Sequence, residues 1–126
     1  MTSMSDKKAL GGLKSISEYA GFSVPTLRLL IKKYNFPVTQ LDGTKWRSHQ
    51  LAIDEWWSGL LPCNNPEDVL FGVDEIVRES GLSKRHILEL IHDEKIKTVR
   101  FKEAGTIYSS KQAVHNYFKE ALRGSG

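Results

Sequence analysis

The chain has 126 residues, 40% hydrophobic and 26% charged, with a net charge of +3. That length suits one medium domain or two very small ones, and the composition is ordinary for a soluble globular protein. No apolar run approaches the roughly 18 residues of a membrane span. A single cysteine, Cys63, leaves no intrachain disulfide, which suits a reducing cytoplasm.

Charge is unevenly placed. Residues 1–62 hold eight Lys/Arg against five Asp/Glu, whereas residues 63–126 hold ten of each. A mildly basic half suits an anionic partner.

In chain order, "MTSMSDKKALGG" lacks the apolar block of a signal peptide and reads as a short mobile tail, as does "RGSG" at the other end. Leu13 to Ala20 then has the apolar spacing of a short helix. Gly21-Phe22 marks a tight turn, since Gly takes positive φ at little cost. Ser23 stands where an N-cap belongs. The helix after it gathers Leu27, Leu30, Ile31 and Tyr34 on one face, with Pro25 in the first turn, whose amides have no intrahelical acceptor. From residue 38 the period changes to two, and Asp42-Gly43 predicts a hairpin tip. A closing helix is expected from Ser48, with Trp46, Trp56 and Trp57 in the core.

The same order then recurs. After "LPCNNPEDVL", whose prolines and asparagines mark a linker, come a helix over Val73 to Ser80, a Gly81-Leu82 turn, a Ser83 cap and a helix with Ile87, Leu90 and Ile91 inward. A hairpin over residues 97–109 and a helix from Ser110 follow. Residue i falls on residue i+60 at Leu13/Val73, Gly21/Gly81, Ser23/Ser83, Leu27/Ile87 and Phe36/Ile96. Beyond Phe36/Ile96 an offset of 62 pairs Gly43/Gly105, Trp46/Tyr108, Ser48/Ser110 and Trp56/Phe118. Apolar and special positions recur together, which predicts two copies of one fold: residues 10–61, a linker at 62–69, and residues 70–123. The expected class is mainly α with small β-hairpin wings.

Helix, glycine turn, capped helix and hairpin describe a winged helix-turn-helix. The stretch "LKSISEYAGFSVPTLRLLIKKYNFPVTQLDGTKWRSHQLAIDEWW" resembles the excisionase and MerR-type DNA-binding modules of phages and bacteria. It shares the Ala-Gly-x-Ser turn, the Thr-Leu-Arg start of the second helix, the Phe-Pro after it, a Gly-tipped wing and a Trp-rich closing helix. Val73 to Phe118 resembles the same unit, less closely in its wing. The resemblance implies two tandem winged helix-turn-helix units and sequence-selective binding of double-stranded DNA by a transcription regulator, recombination accessory factor or packaging factor, in the bacterial cytoplasm or nucleoid. It also implies that each second helix reads the major groove while each wing touches backbone or minor groove.

The residues expected at DNA are Ser23, Val24, Thr26, Arg28, Lys32, Lys45 and Arg47 in the first copy, with Lys33 beside them. In the second they are Ser83, Lys84, Arg85, His92, Arg100 and Lys102. Val24-Pro25 can touch a thymine methyl but forms no bidentate bond, whereas Lys84-Arg85 can contact phosphate or guanine. Glu89, Asp93 and Glu94, on the second copy's corresponding helix, would repel phosphate. They favour a protein partner or self-association through that copy as the alternative. No nucleophile motif, paired-carboxylate pattern or phosphate-cradling glycine loop occurs, and the four histidines lack metal spacing with Cys63. A non-enzymatic protein without cofactor or metal is expected.

Overall fold

A computed structural model describes residues 7–40, 43, 45–102 and 105–124. The chain divides into two compact units, Met1–Trp57 and Ser58–Gly126. Unit 1 runs β1 (Ala9–Gly11), α1 (Leu13–Ala20), α2 (Val24–Lys33), β2 (Thr39–Gln40), β3 (Trp46–His49) and α3 (Gln50–Ser58). Unit 2 runs β4 (Val69–Phe71), α4 (Val73–Ser80), α5 (Lys84–His92), β5 (Val99–Arg100), β6 (Ile107–Ser110) and α6 (Lys111–Gly124). They are two similar α+β units, each with three helices and a three-stranded antiparallel sheet among the described residues.

Local chemistry sets the helix pair of each unit. α1 and α4 end at Gly21 and Gly81, which take φ of 91° and 76°, a region costly for any residue with a Cβ. Three residues later α2 and α5 are under way. Ser23 and Ser83 sit extended and accept hydrogen bonds from the Thr26 and His86 amides, satisfying one free donor of each first turn.

Each hairpin carries a third strand that the sequence periodicity does not announce. β1 pairs with β3 through Ala9↔His49 and Gly11↔Arg47, and β2 pairs on the other side through Thr39↔Arg47. β4 and β5 flank β6 in the same way. The segment expected to be a mobile tail is therefore structured from Lys7. Lys7 Nζ lies 3.1 Å from Asp54 Oδ2 and donates to the Tyr19 hydroxyl at 3.1 Å, while Tyr19 donates to Asp54 Oδ1 at 2.7 Å. At the other end Arg123 belongs to α6.

The expected linker is also structured in part. Asn65 caps a 3₁₀ turn, Pro66–Asp68, that leads into β4, and Ser110 Oγ donates to the Pro62 carbonyl at 2.8 Å. Asp42, half of the expected hairpin tip, lies outside the described residues; Gly43 takes φ of 80°.

The sheets correct the second half of the repeat. The Gly12 amide donates to the Trp46 carbonyl, and the Gly72 amide to that of Ile107. Trp46 thus corresponds to Ile107, Arg47 to Tyr108 and Ser48 to Ser109, an offset of 61 rather than 62. Five residues join Gln40 to Trp46 and six join Arg100 to Ile107, so one added residue in the hairpin explains the change. Because strand side chains alternate between faces, one position of slip exchanges them.

The corrected register reassigns two roles. Ser48 does not cap the closing helix of unit 1. Its hydroxyl donates to the Pro37 carbonyl at 2.6 Å, as Ser109 does to Lys97 at 2.7 Å. His49 Nδ1 accepts from the Leu51 amide at 3.1 Å, the place Ser110 Oγ takes for Ala113.

The two cores differ in chemistry. Unit 1 buries Ile16, Ala20, Phe22, Leu27, Leu30, Phe36, Ile53 and Trp57. Phe22 stacks on Trp57 with ring centres 5.2 Å apart, and Phe36 meets Trp56 edge-on at 4.9 Å. Of the three expected core tryptophans only Trp57 is fully buried; Trp46 and Trp56 are half-buried. Unit 2 packs Leu70, Ile76, Ile87, Leu90, Ile96, Ile107, Ala113 and Val114. Its Phe71, Tyr108 and Phe101 form a separate chain of ring contacts at 5.2 and 5.5 Å.

Candidate nucleic-acid interface

Burying Leu27 and Leu30 in α2 decides what the opposite side presents. At 100° per residue, Pro25, Arg28 and Lys32 fall on the outer side, and all three are exposed, as is Lys33. The ten residues of α2, VPTLRLLIKK, include no carboxylate, and its last turn carries Lys32 and Lys33, where the negative end of the helix dipole favours cations.

The first turn is less polar than its residue types imply. Ser23 Oγ accepts from the Thr26 amide at 3.4 Å and donates to Thr26 Oγ1 at 3.0 Å. Val24 and Thr26 are half-buried. The outward groups of this turn are therefore the Pro25 ring and, one turn on, the Arg28 guanidinium.

In the unit 1 hairpin Lys45 is exposed and Arg47 is not fully so. Arg47 sits opposite Gly11 on one neighbouring strand and Thr39 on the other. A Cβ on Gly11 would stand 3.3 Å from Arg47 Nη1, so the guanidinium lies along β1. Arg47, one of the residues expected at DNA, is thus half-buried beside β1. Tyr108, its counterpart, is buried against Phe71, and that burial pushes its hydroxyl above the ordinary tyrosine value.

Unit 2 presents a different helix face. Lys84, Arg85, Leu88, Glu89 and His92 of α5 are exposed, together with Asp93 beyond its end. Arg85 Nε lies 3.7 Å from Glu89 Oε2, and His92 Nδ1 lies 3.3 Å from Asp93 Oδ1. Asp93 is the C-cap and Glu94, at φ of 59°, follows it, so neither lies within the helix as the sequence reading has it. Arg100 on β5 and Lys102 beyond it are both exposed.

Arg28 and Arg85 are thus both directed outward from second helices, and neither is covered. The residue overlooked at sequence level is Leu88. It occupies the place of Arg28 and is 46% exposed, and aligning α5 on α2 at offset 60 would have shown it. Among the described residues no helix is long and apolar enough to cross a membrane. In comparisons with known proteins, no family model, curated protein or solved structure matches the chain.

Proposed function

We propose that this chain is a sequence-selective, non-enzymatic double-stranded DNA-binding protein of phage or bacterial type, built from tandem winged helix-turn-helix units and acting in the bacterial cytoplasm or nucleoid. Its role is that of a transcription regulator or a recombination accessory factor. The observation that carries this reading is the outer face of α2. Arg28, Lys32 and Lys33 are exposed on a helix without a carboxylate, held by a glycine turn and a serine cap.

A short capped helix of this kind fits the major groove with its first turn toward base edges. Arg28 is the donor placed to reach a guanine or a phosphate, Pro25 and Val24 offer apolar contact to a thymine methyl, and Lys32, Lys33 and Lys45 neutralise backbone. Affinity then comes mainly from released counterions. For about six engaged phosphates, log affinity falls against log salt with a slope near −5.

A mobility-shift titration with mixed genomic fragments at two salt concentrations tests this. A salt-sensitive shift is the expected result; no binding at low salt rejects the reading.

One observation favours a second reading for unit 2, that of a protein-interaction module within a mixed DNA and protein adaptor such as a phage packaging factor. Where α2 has Arg28 and Leu29, α5 has Leu88 and Glu89; where α2 has Lys32 and Lys33, Asp93 follows His92. An aliphatic group set among charges of both signs, with Glu89 and Asp93 among them, suits a protein surface better than a phosphate backbone.

A further inference from the structure

The outer face of α5 is self-complementary, and we propose that it is the contact through which two copies of this chain associate. The inference deepens the self-association reading of unit 2 and does not depend on DNA binding by unit 1.

Leu88 is one of two large hydrophobic side chains exposed among the described residues. It is bordered by Lys84, Arg85, Glu89 and His92 on its own helix. An isolated exposed leucine is unremarkable on its own. The arrangement of charge around it is informative.

Two such helices placed antiparallel about a two-fold axis at Leu88 bring Leu88 against Leu88 of the second copy. Residues then meet at equal and opposite distances along the helix axis. At 1.5 Å and 100° per residue, Arg85 lies on the same side of the seam as Glu89 of the second copy, about 3 Å from it in axial height. The two-fold repeats the pair. Arg85 and Glu89 already stand 3.7 Å apart within one helix, with side chains 91% and 63% exposed. Docking then lines up two such pairs along one flank of the Leu88 contact, each Arg85 beside the Glu89 of the second copy. An isologous contact needs this property, with one patch satisfying itself.

The corresponding face of α2, with Arg28 in the central place and Leu29 and Lys32 beside it, would set like charges together. The difference assigns self-association to unit 2. One face of a nine-residue helix covers less than the roughly 800 Å² per partner of a standard interface. The free protein therefore associates weakly.

Sedimentation equilibrium of the full chain, over a concentration series reaching the millimolar range, provides the test. The wild type is expected to show a reversible monomer–dimer equilibrium. Leu88→Asp, Arg85→Glu and Glu89→Arg are each expected to raise the dissociation constant at least about tenfold. Circular dichroism checks that each variant stays folded, and all three positions are at the surface. Mixing Arg85→Glu with Glu89→Arg is expected to restore association, because each charge then meets its opposite across the seam. A wild type of constant monomeric mass overturns the proposal, as does a mixture that stays monomeric. Arg28→Ala separates the two readings, since it should impair the DNA shift while leaving the mass distribution unchanged.

Discussion

Units 1 and 2 share a backbone plan and differ in almost everything that fills or covers it. Phe22, Phe36 and Trp57 in one stand where Leu82, Ile96 and Phe118 stand in the other. Arg47 lies along Gly11 where Tyr108 packs on Phe71. The Lys7–Tyr19–Asp54 cluster of unit 1 is replaced at the corresponding positions by Glu67, Glu79 and His115. What the units retain is the αL glycine, the serine cap and the buried leucine or isoleucine of the second helix. Core packing accepts different apolar shapes of adequate volume, whereas a positive-φ turn and an unpaired first-turn amide accept few solutions. The outward helix faces, bound by neither demand, have separated into a purely basic one and one of mixed charge around Leu88.

The largest expected effect tests the aromatic core. Trp57→Ala removes a fully buried indole stacked on Phe22 and should cost about 3–5 kcal/mol. All three tryptophans lie in unit 1, so denaturant unfolding followed by the fluorescence of Trp46 and Trp56 reports on that unit. Phe118→Ala, at a half-buried site of unit 2, should cost less when unfolding is followed by circular dichroism; a greater loss there would overturn the ranking of the two cores.

Next comes the polar cluster. Asp54→Ala leaves Lys7 and Tyr19 without their shared acceptor and should destabilise unit 1 by about 2 kcal/mol. Hydrogen bonds to Tyr19 and Asp54 hold the Lys7 ammonium above its ordinary value of 10.5. Burial first, and then the bond to Asp54, raise Tyr19 above 10.0. Both groups keep their protons longer folded than unfolded. Their contribution is complete below about pH 10 and declines as pH rises through the folded values. Unit 1 should therefore unfold at lower denaturant at pH 11 than at pH 8, and Tyr19→Phe, which removes the tyrosine titration and the main cause raising Lys7, should flatten that dependence.

At the DNA face, Arg28→Ala should weaken binding to a preferred site by about 1–3 kcal/mol and weaken binding to random duplex less. Equal losses on both would make Arg28 a backbone contact. Arg85→Ala, beside Glu89, should matter less in the same mobility-shift measurement. The smallest effects belong to the shared caps. Ser23→Ala and Ser83→Ala should each cost about 1 kcal/mol in thermal unfolding, and markedly unequal costs would break the equivalence of the two turns.

The bounds of α1 and α4, the turns at Gly21 and Gly81 and the caps at Ser23 and Ser83 were legible because each is settled within a few residues. The α2 face was legible for the same reason, once Leu27 and Leu30 defined the inner side. β1 and β4 were not. Each is three residues long, ALG and VLF, with no alternation to detect and a partner more than thirty residues away. The offset of 62 failed because matching serines and aromatics outweighed a strand register that only hydrogen bonds reveal.

By itself the sequence determined the duplication, the helix pairs and the chemistry available on their outer sides, since these follow from local backbone preference and helical period. Tertiary structure alone decided that Lys7 is clamped to Asp54, that Arg47 lies along β1, and that His49 rather than Ser48 caps α3. Each depends on strand pairing or on a contact that strand pairing brings within reach. A shift of one residue in that pairing exchanges the faces of the strand and leaves every local signal unchanged.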